Sequence, residues 1–249
     1  MTVRVETTDM SGAVMLVTLD RPSRRNAVDH ETLGELTAVQ AELMADTARL
    51  VRVLVLTGAP PAFSAGADLT GVEEGQFAAD LGSVLRGFGQ LSIPVIAAID
   101  GPALGAGAQL AVAADLRIAT PDSVVGVPAA KLGLVVDHWT VRRLADEFTA
   151  PVARAMLVGA ETYTAARLHE LGGVHRLGGL DDAIAWAEQL STLAPLTMEG
   201  HKLALEHRTA EPPPVDAVET ARTAAWASDD AVEGRTAFLE KRPAHFTGR

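Results

Sequence analysis

ALGAGAQLAVAAD, residues 103–115, follows the apolar run PVIAAIDG at 94–101 and leads into LRIATP at 116–121. A strand, a turn of small residues, an apolar helix and another strand make the order of a β-strand returning to a parallel neighbour. The stretch strips side chains from the start of its helix and then places one polar residue, Gln109, within it. Backbone amides at such a turn can face a ligand, because small residues admit an anion and a helix N-terminus adds partial positive charge. A second turn of this kind, AFSAGADL at 62–69, follows the strand-like RVLVLTG at 52–58. One such turn reads most simply as a tight connection, and two leave the packing and ligand readings both open.

Working outward, residues 3–8 and 13–19 read as a hairpin around Ser11-Gly12. Asp29 is a candidate cap for a helix running to Asp46, with Leu33, Leu36, Val39 and Leu43 at helical spacing. A helix over 74–91 and short strands at 116–121 and 123–128 continue the alternation, which defines the α/β class. From Pro151 the spacing predicts helix after helix: 151–158, 164–171, 181–193, 196–207, 215–227 and 229–240. EPPPVD at 211–216 marks a bend, since proline suits a helix start and not its interior. A helical tail of this kind needs another surface to cover it, so oligomerisation is expected.

A net charge of −11 repels nucleic acid and anionic lipid, and the basic residues form only short clusters such as Arg21, Arg24 and Arg25. The absence of cysteine excludes disulfides, thiolate zinc sites and a cysteine nucleophile. The seven histidines make no paired ligand motif, and no metal is expected. MTVRVETTDM lacks the pattern of a signal peptide, and no apolar run approaches the ~20 residues of a membrane span, so a cytoplasmic location is expected. Other signatures fail: Leu110 stands where a dinucleotide-binding loop after Gly105-x-Gly107 needs glycine, and Ala62 stands where a nucleophile elbow needs one.

Four segments together resemble the crotonase (enoyl-CoA hydratase/isomerase) family: LDRPSRRNAV, RVLVLTGAPPAFSAGADL, SIPVIAAIDGPALGAGAQLAVAADLRIAT and FLEKRPAHF. The resemblance implies a crotonase-like spiral of repeated ββα turns over 1–190, binding acyl-CoA, and a C-terminal helical trimerisation region over 191–249. A homotrimer or hexamer is implied, with coenzyme A thioester as ligand and no other cofactor. By the same resemblance the amides of Ala67 and Ala106 form an oxyanion hole for the thioester carbonyl, which favours the enolate form. Ser64 and Ala65 fall where the family meets the adenine end of CoA, Arg24 and Arg25 near its phosphates, and Phe238 and Lys241 at tail positions that reach CoA.

The resemblance also exposes two departures. Hydratases of the family use two glutamates, and here Gln109 and Ala129 occupy those positions. A glutamine amide holds a hydrogen bond but exchanges no proton at neutral pH, and an alanine does neither. Asp137 lies eight residues beyond Ala129, where some family members carry a catalytic aspartate; a dry acyl pocket turns a carboxylate into a useful base. Its competing reading is an N-cap, with Trp139, Val141 and Leu144 on the apolar side of the helix that follows. His138 reads as a polar wall or surface residue and Trp139 as core or acyl-pocket lining.

The segment LGLVVDHWTVRRL, together with the missing glutamates, is similar to a mycobacterial subgroup of hydratase-like proteins that bind long-chain acyl-CoA without hydrating it. The leading expectation is therefore an acyl-CoA binding protein of lipid metabolism that delivers its ligand to a lipid-synthesis enzyme as partner. The alternative is an enoyl-CoA isomerase or weak hydratase with Asp137 as sole base. Thioester hydrolysis through Ser64 or Asp137 is weaker still, because neither has a histidine beside it in a nucleophile motif.

Overall fold

β1 (Val3–Thr7) and β2 (Val14–Leu19) form the antiparallel pair expected of the N-terminal segment, with Val5 opposite Val17. The computed structural model describes residues 1–8, 12–46, 49–70, 74–208, 223–224 and 226–244. Position 11 of the expected turn lies outside them, as do the bend at 211–216 and most of the helix expected over 215–227.

After β2 the chain makes a bridge at Val28 and enters α1 (His30–Ala45); Asp29 caps it, its side chain accepting from the Thr32 amide. β3 (Val53–Gly58) leads through bridges at Ser64 and Ala67 to α2 (Glu74–Gln90). β4 (Val95–Ile99) leads through β5 (Ala103–Leu104) to α3 (Ala106–Ala113). β6 (Leu116–Ala119) leads through β7 (Val124–Gly126) and a 3-10 turn at Ala129–Leu132 to α4 (His138–Phe148). Each turn sends its first strand to one sheet and its second strand or bridge to another before its helix, which is the ββα spiral expected.

The rest of the chain runs through α5 (Ala150–Leu157), β8 (Thr162–Thr164), α6 (Ala165–Glu170) and β9 (Arg176–Leu177), then α7 (Leu180–Ser191), α8 (Pro195–Arg208) and α9 (Asp229–Glu240). The all-helical reading of the last third therefore needs correction at β8 and β9. TYT and RL are too short to show a period, and they become strands only because β7 and β6 offer them backbone partners. No described helix is long and apolar enough to cross a membrane.

The large sheet has the order β1-β2-β3-β4-β6-β9, parallel from β2 onward, and the small one β5-β7-β8. β2, β3 and β4 are apolar almost throughout because both faces are covered. Leu54, Leu56 and Ile99 point into the main core, while Val53, Val55 and Ile96 meet Ala183 and Trp186 of α7 on the opposite face. The α3 helix is buried along its whole length. Its C-terminal carbonyls are met by two buried arginines: Arg117 Nη1 donates to Ala114 O at 2.9 Å, and Arg143 Nε to Val112 O at 2.9 Å. Helix ends leave such carbonyls without partners, and a cation there also complements the dipole.

Candidate functional site

The two glycine-containing turns meet. Gly66 and Gly105 both have positive φ, 110° and 53°, and a Cβ on Gly105 would lie 3.7 Å from the Gly66 Cα. A Cβ on Gly66 would lie 3.0 Å from Leu104 O and 3.7 Å from the Ala106 nitrogen. The glycines thus let the turn after β3 sit against the start of α3 and bring Ala67 near Ala106. Ala106 is the first residue of α3, and its amide is one of the four that a helix leaves unpaired. Ala67 sits in a bridge to Val28 in which Gly66 O and the Asp68 amide make the hydrogen bonds, so its own N–H is not used. Among the described residues, neither Ala67 nor Ala106 donates its amide to another backbone group.

Asp68 braces the first turn, as its sequence suggests, and its distant partner is Arg21. Arg21 Nη2 lies 3.0 Å from both Asp29 Oδ2 and Asp68 Oδ2, and Thr70 Oγ1 donates to Asp68 Oδ1 at 2.6 Å. Burial alone would raise the Asp68 carboxyl's pKa, but the Thr70 hydroxyl and the Arg21 guanidinium bring it below the ordinary aspartate value. Asn26, buried and in the left-handed region at φ 55°, donates Nδ2 to Ala59 O at 2.7 Å and Ala62 O at 2.6 Å. RPSRRNAV is therefore a clamp on the turn at 62–69. Its only local signal is Asn26, a residue type enriched at positive φ.

A cavity of about 480 Å³ opens beside Ala67 and Ala106, both of which line it. Its walls are mainly apolar, formed by Phe77, Leu81 and Leu85 of α2 with Val127, Leu132 and Val136. Trp226, Arg235 and Phe238 from the C-terminal part of the chain also line it. There α9 is seated against the 129–137 segment: a Cβ on Gly234 would fall 2.4 Å from the Leu132 carbonyl, and Trp226 Nε1 donates to Val135 O at 2.9 Å.

The structure brings Gln109, Ala129, Asp137, Arg25, Ala65 and Phe238 to this cavity with the two alanines. Asp137 is the only carboxylate among the described lining residues. It is also the cap, its side chain accepting from the Thr140 amide at 2.9 Å, and Arg86 Nη1 stands 3.8 Å from its other oxygen. The N-cap and cavity readings of Asp137 therefore coexist. Gln109 Oε1 accepts from the buried Thr140 hydroxyl at 2.9 Å.

Other sites of the sequence reading lie apart from the lining. Ser64 is wholly buried beneath it, its carbonyl accepting from the Leu104 amide at 2.9 Å. Arg24 and Lys241 are exposed outside it. Trp139 packs against the main core beside Arg143, and half-buried His138 lies next to it at the start of α4, neither lining the cavity. Among the described residues, no three His, Asp or Glu side chains cluster so as to hold a metal ion.

A two-sheet ββα spiral with two small-residue turns meeting over an apolar cavity defines a crotonase-fold protein. The chain belongs to the enoyl-CoA hydratase/isomerase family, whose model matches residues 9–249. It is 41% identical over 240 residues to the probable enoyl-CoA hydratase echA6 of Mycobacterium leprae, covering 94% of this chain and 96% of that one. It is 34% identical over 256 residues to a carnitinyl-CoA dehydratase of Escherichia coli, covering 96% and 97% of the two chains. A crystal structure of an enoyl-CoA hydratase from Mycobacterium avium subsp. paratuberculosis shares the fold with a TM-score of 0.86 at 24% identity, covering 99% of each chain.

Proposed function

We propose that this protein binds acyl-CoA thioesters, long-chain ones among them, with the thioester oxygen at the Ala67 and Ala106 amides and the acyl chain along the α2 wall. The observation that carries this reading is the meeting of those two residues at one end of an apolar cavity. Arg25 at the rim suits CoA phosphates, and Phe238 lines the same cavity from α9. Hydration is absent or marginal, because Gln109 and Ala129 stand at the family's glutamate positions and each missing acid-base group removes roughly 10²- to 10⁴-fold. The protein then acts in lipid metabolism by carrying its ligand to a partner enzyme. Exposed Leu193, Leu196, Leu203 and Leu205 on and before α8 support self-association as a trimer or hexamer through the C-terminal region.

One observation favours a second reading, isomerisation or weak hydration by Asp137, since that carboxylate lines the cavity. Isomerisation needs only one group to move a proton between carbons. Incubation with a trans-2-enoyl-CoA in heavy water, followed by mass spectrometry, separates the two. Binding with no change in the thioester is the result expected. Deuterium exchange or double-bond migration that Asp137→Asn abolishes would replace the carrier with an isomerase, and rapid hydration would overturn the first reading.

A further inference from the structure

The oxygen of the Gln109 side chain is already engaged. Thr140, wholly buried, donates its hydroxyl to Gln109 Oε1 at 2.9 Å, and the Thr140 amide is itself held by Asp137 Oδ1 at 2.9 Å. An amide whose acceptor is occupied in this way presents its two N–H donors on the other side. Gln109 is more than nine-tenths buried and lines the cavity with Leu104, Val127 and Ala129, which carry no side-chain acceptor, and with Asp137, whose Oδ1 is taken by the Thr140 amide. It stands three residues after Ala106 on α3, on the same face one turn along. With a thioester oxygen at the Ala106 amide, the acyl carbons immediately beyond the carbonyl fall opposite that turn.

We propose that Gln109 is a specificity residue that selects acyl thioesters carrying a neutral oxygen on the β carbon, the 3-oxoacyl and 3-hydroxyacyl class, over saturated and enoyl chains. This rests on the acyl-CoA reading above. A purely aliphatic chain strips water from the two donors and offers nothing in return, whereas a ketone or hydroxyl oxygen accepts one of them. A β-carboxylate gains less, because it gives up its hydration and meets the charge of Asp137, linked to Gln109 through Thr140.

The test is titration calorimetry on the full-length protein with saturated, trans-2-enoyl, 3-hydroxy and 3-oxo acyl-CoA of one chain length. The 3-oxo and 3-hydroxy ligands are expected to bind about tenfold more tightly than the saturated one. Gln109→Met, close in shape and without donors, brings that ratio to about one, and Thr140→Val, which frees the amide to turn, lowers it. Equal affinity of the unaltered protein for the saturated and 3-oxo ligands overturns the proposal and leaves the acyl-CoA reading standing. A gain for 3-hydroxy but not 3-oxo also overturns it, because Gln109 would then be presenting its oxygen. If no acyl-CoA binds, the acyl-CoA reading falls and the proposal falls with it. Should Gln109→Met not fold, the ratio in the unaltered protein decides alone.

Discussion

Arg117→Met removes the buried cation at the far end of the helix whose first residue, Ala106, lines the cavity. Arg117 is 1% exposed; its Nε donates to Gly173 O at 2.7 Å, its Nη1 to Ala114 O at 2.9 Å, and its Nη2 to Glu147 Oε2. Burial lowers the pKa of this guanidinium and the Glu147 carboxylate opposes that shift, so the pair holds its charge through mutual contact. Methionine keeps most of the stem's packing and loses every donor. The carbonyls of Gly173 and Ala114, left without this donor, cost at least about 1 kcal/mol each, and the longer bond to Ala111 O at 3.4 Å adds little. Glu147 is the lesser loss, since it is partly exposed and keeps Arg143 at 3.6 Å. The sum is about 3 kcal/mol, at the lower end of the ~3–5 kcal/mol seen when one partner of a buried ion pair is removed.

For a chain of this size that amounts to a fall in Tm of about 6–12 °C. Urea unfolding and calorimetry at one fixed protein concentration provide the measurement, because assembly makes apparent stability depend on concentration. Arg117→Met with Glu147→Leu should recover part of the loss, since an apolar pair leaves no unmatched charge. A single variant that loses less than about 1 kcal/mol would refute the assignment of Arg117 as the tie between α3, β6 and α4. So would a double variant that is no better than the single one.

Ala106→Pro deletes one amide hydrogen where proline is well tolerated, the first position of a helix. Affinity for a saturated acyl-CoA should fall about five- to tenfold by calorimetry with the fold intact by circular dichroism, and unchanged affinity would place the thioester elsewhere. Gln109→Glu combined with Ala129→Glu should raise hydration of a trans-2-enoyl-CoA by at least about 10²-fold, read as loss of enoyl absorbance. No gain would mean that the cavity does not present the substrate to those positions. His175 supplies a pH test: burial and the nearby Arg117 charge lower its pKa below the usual 6.5, and its Nδ1 accepts from the Arg117 amide at 3.1 Å. The native state then binds fewer protons than the unfolded one, so stability is full above about pH 6.5 and is lost as the pH falls below it. His175→Gln should flatten that decline in the urea midpoint; an equally steep decline in the variant would assign it to other groups. Asp68 and Glu35, whose pKa values are lowered, lose their contributions only at more acid pH.

What could be read in the sequence depended on whether a residue's partner was near it in the chain. β3 and β4 were legible because strands buried on both faces become runs of apolar residues, and Asp29 and Asp137 because a cap acts three residues ahead. Arg117 was not, since it sits in a strand as one charged residue among apolar ones and its partners, Gly173 and Glu147, lie 56 and 30 positions away. Asp68 could be read as bracing its own turn, but that Arg21 is the partner was hidden for the same reason, at a separation of 47. The glycines of residues 103–115 show how packing and chemistry share one signal. A Cβ on Gly107 would lie 2.5 Å from the Ser64 carbonyl, backbone that cannot step aside, so Gly107 is there for packing. Gly105 meets the Gly66 Cα and sets Ala106 beside the first turn, so the same absence of side chains lets Ala67 and Ala106 lie near one another. Composition could not divide those roles, because both call for the smallest residues. What divides them is whether the space left by the missing side chain holds backbone, as at Gly107, or opens into the cavity, as at Ala67 and Ala106.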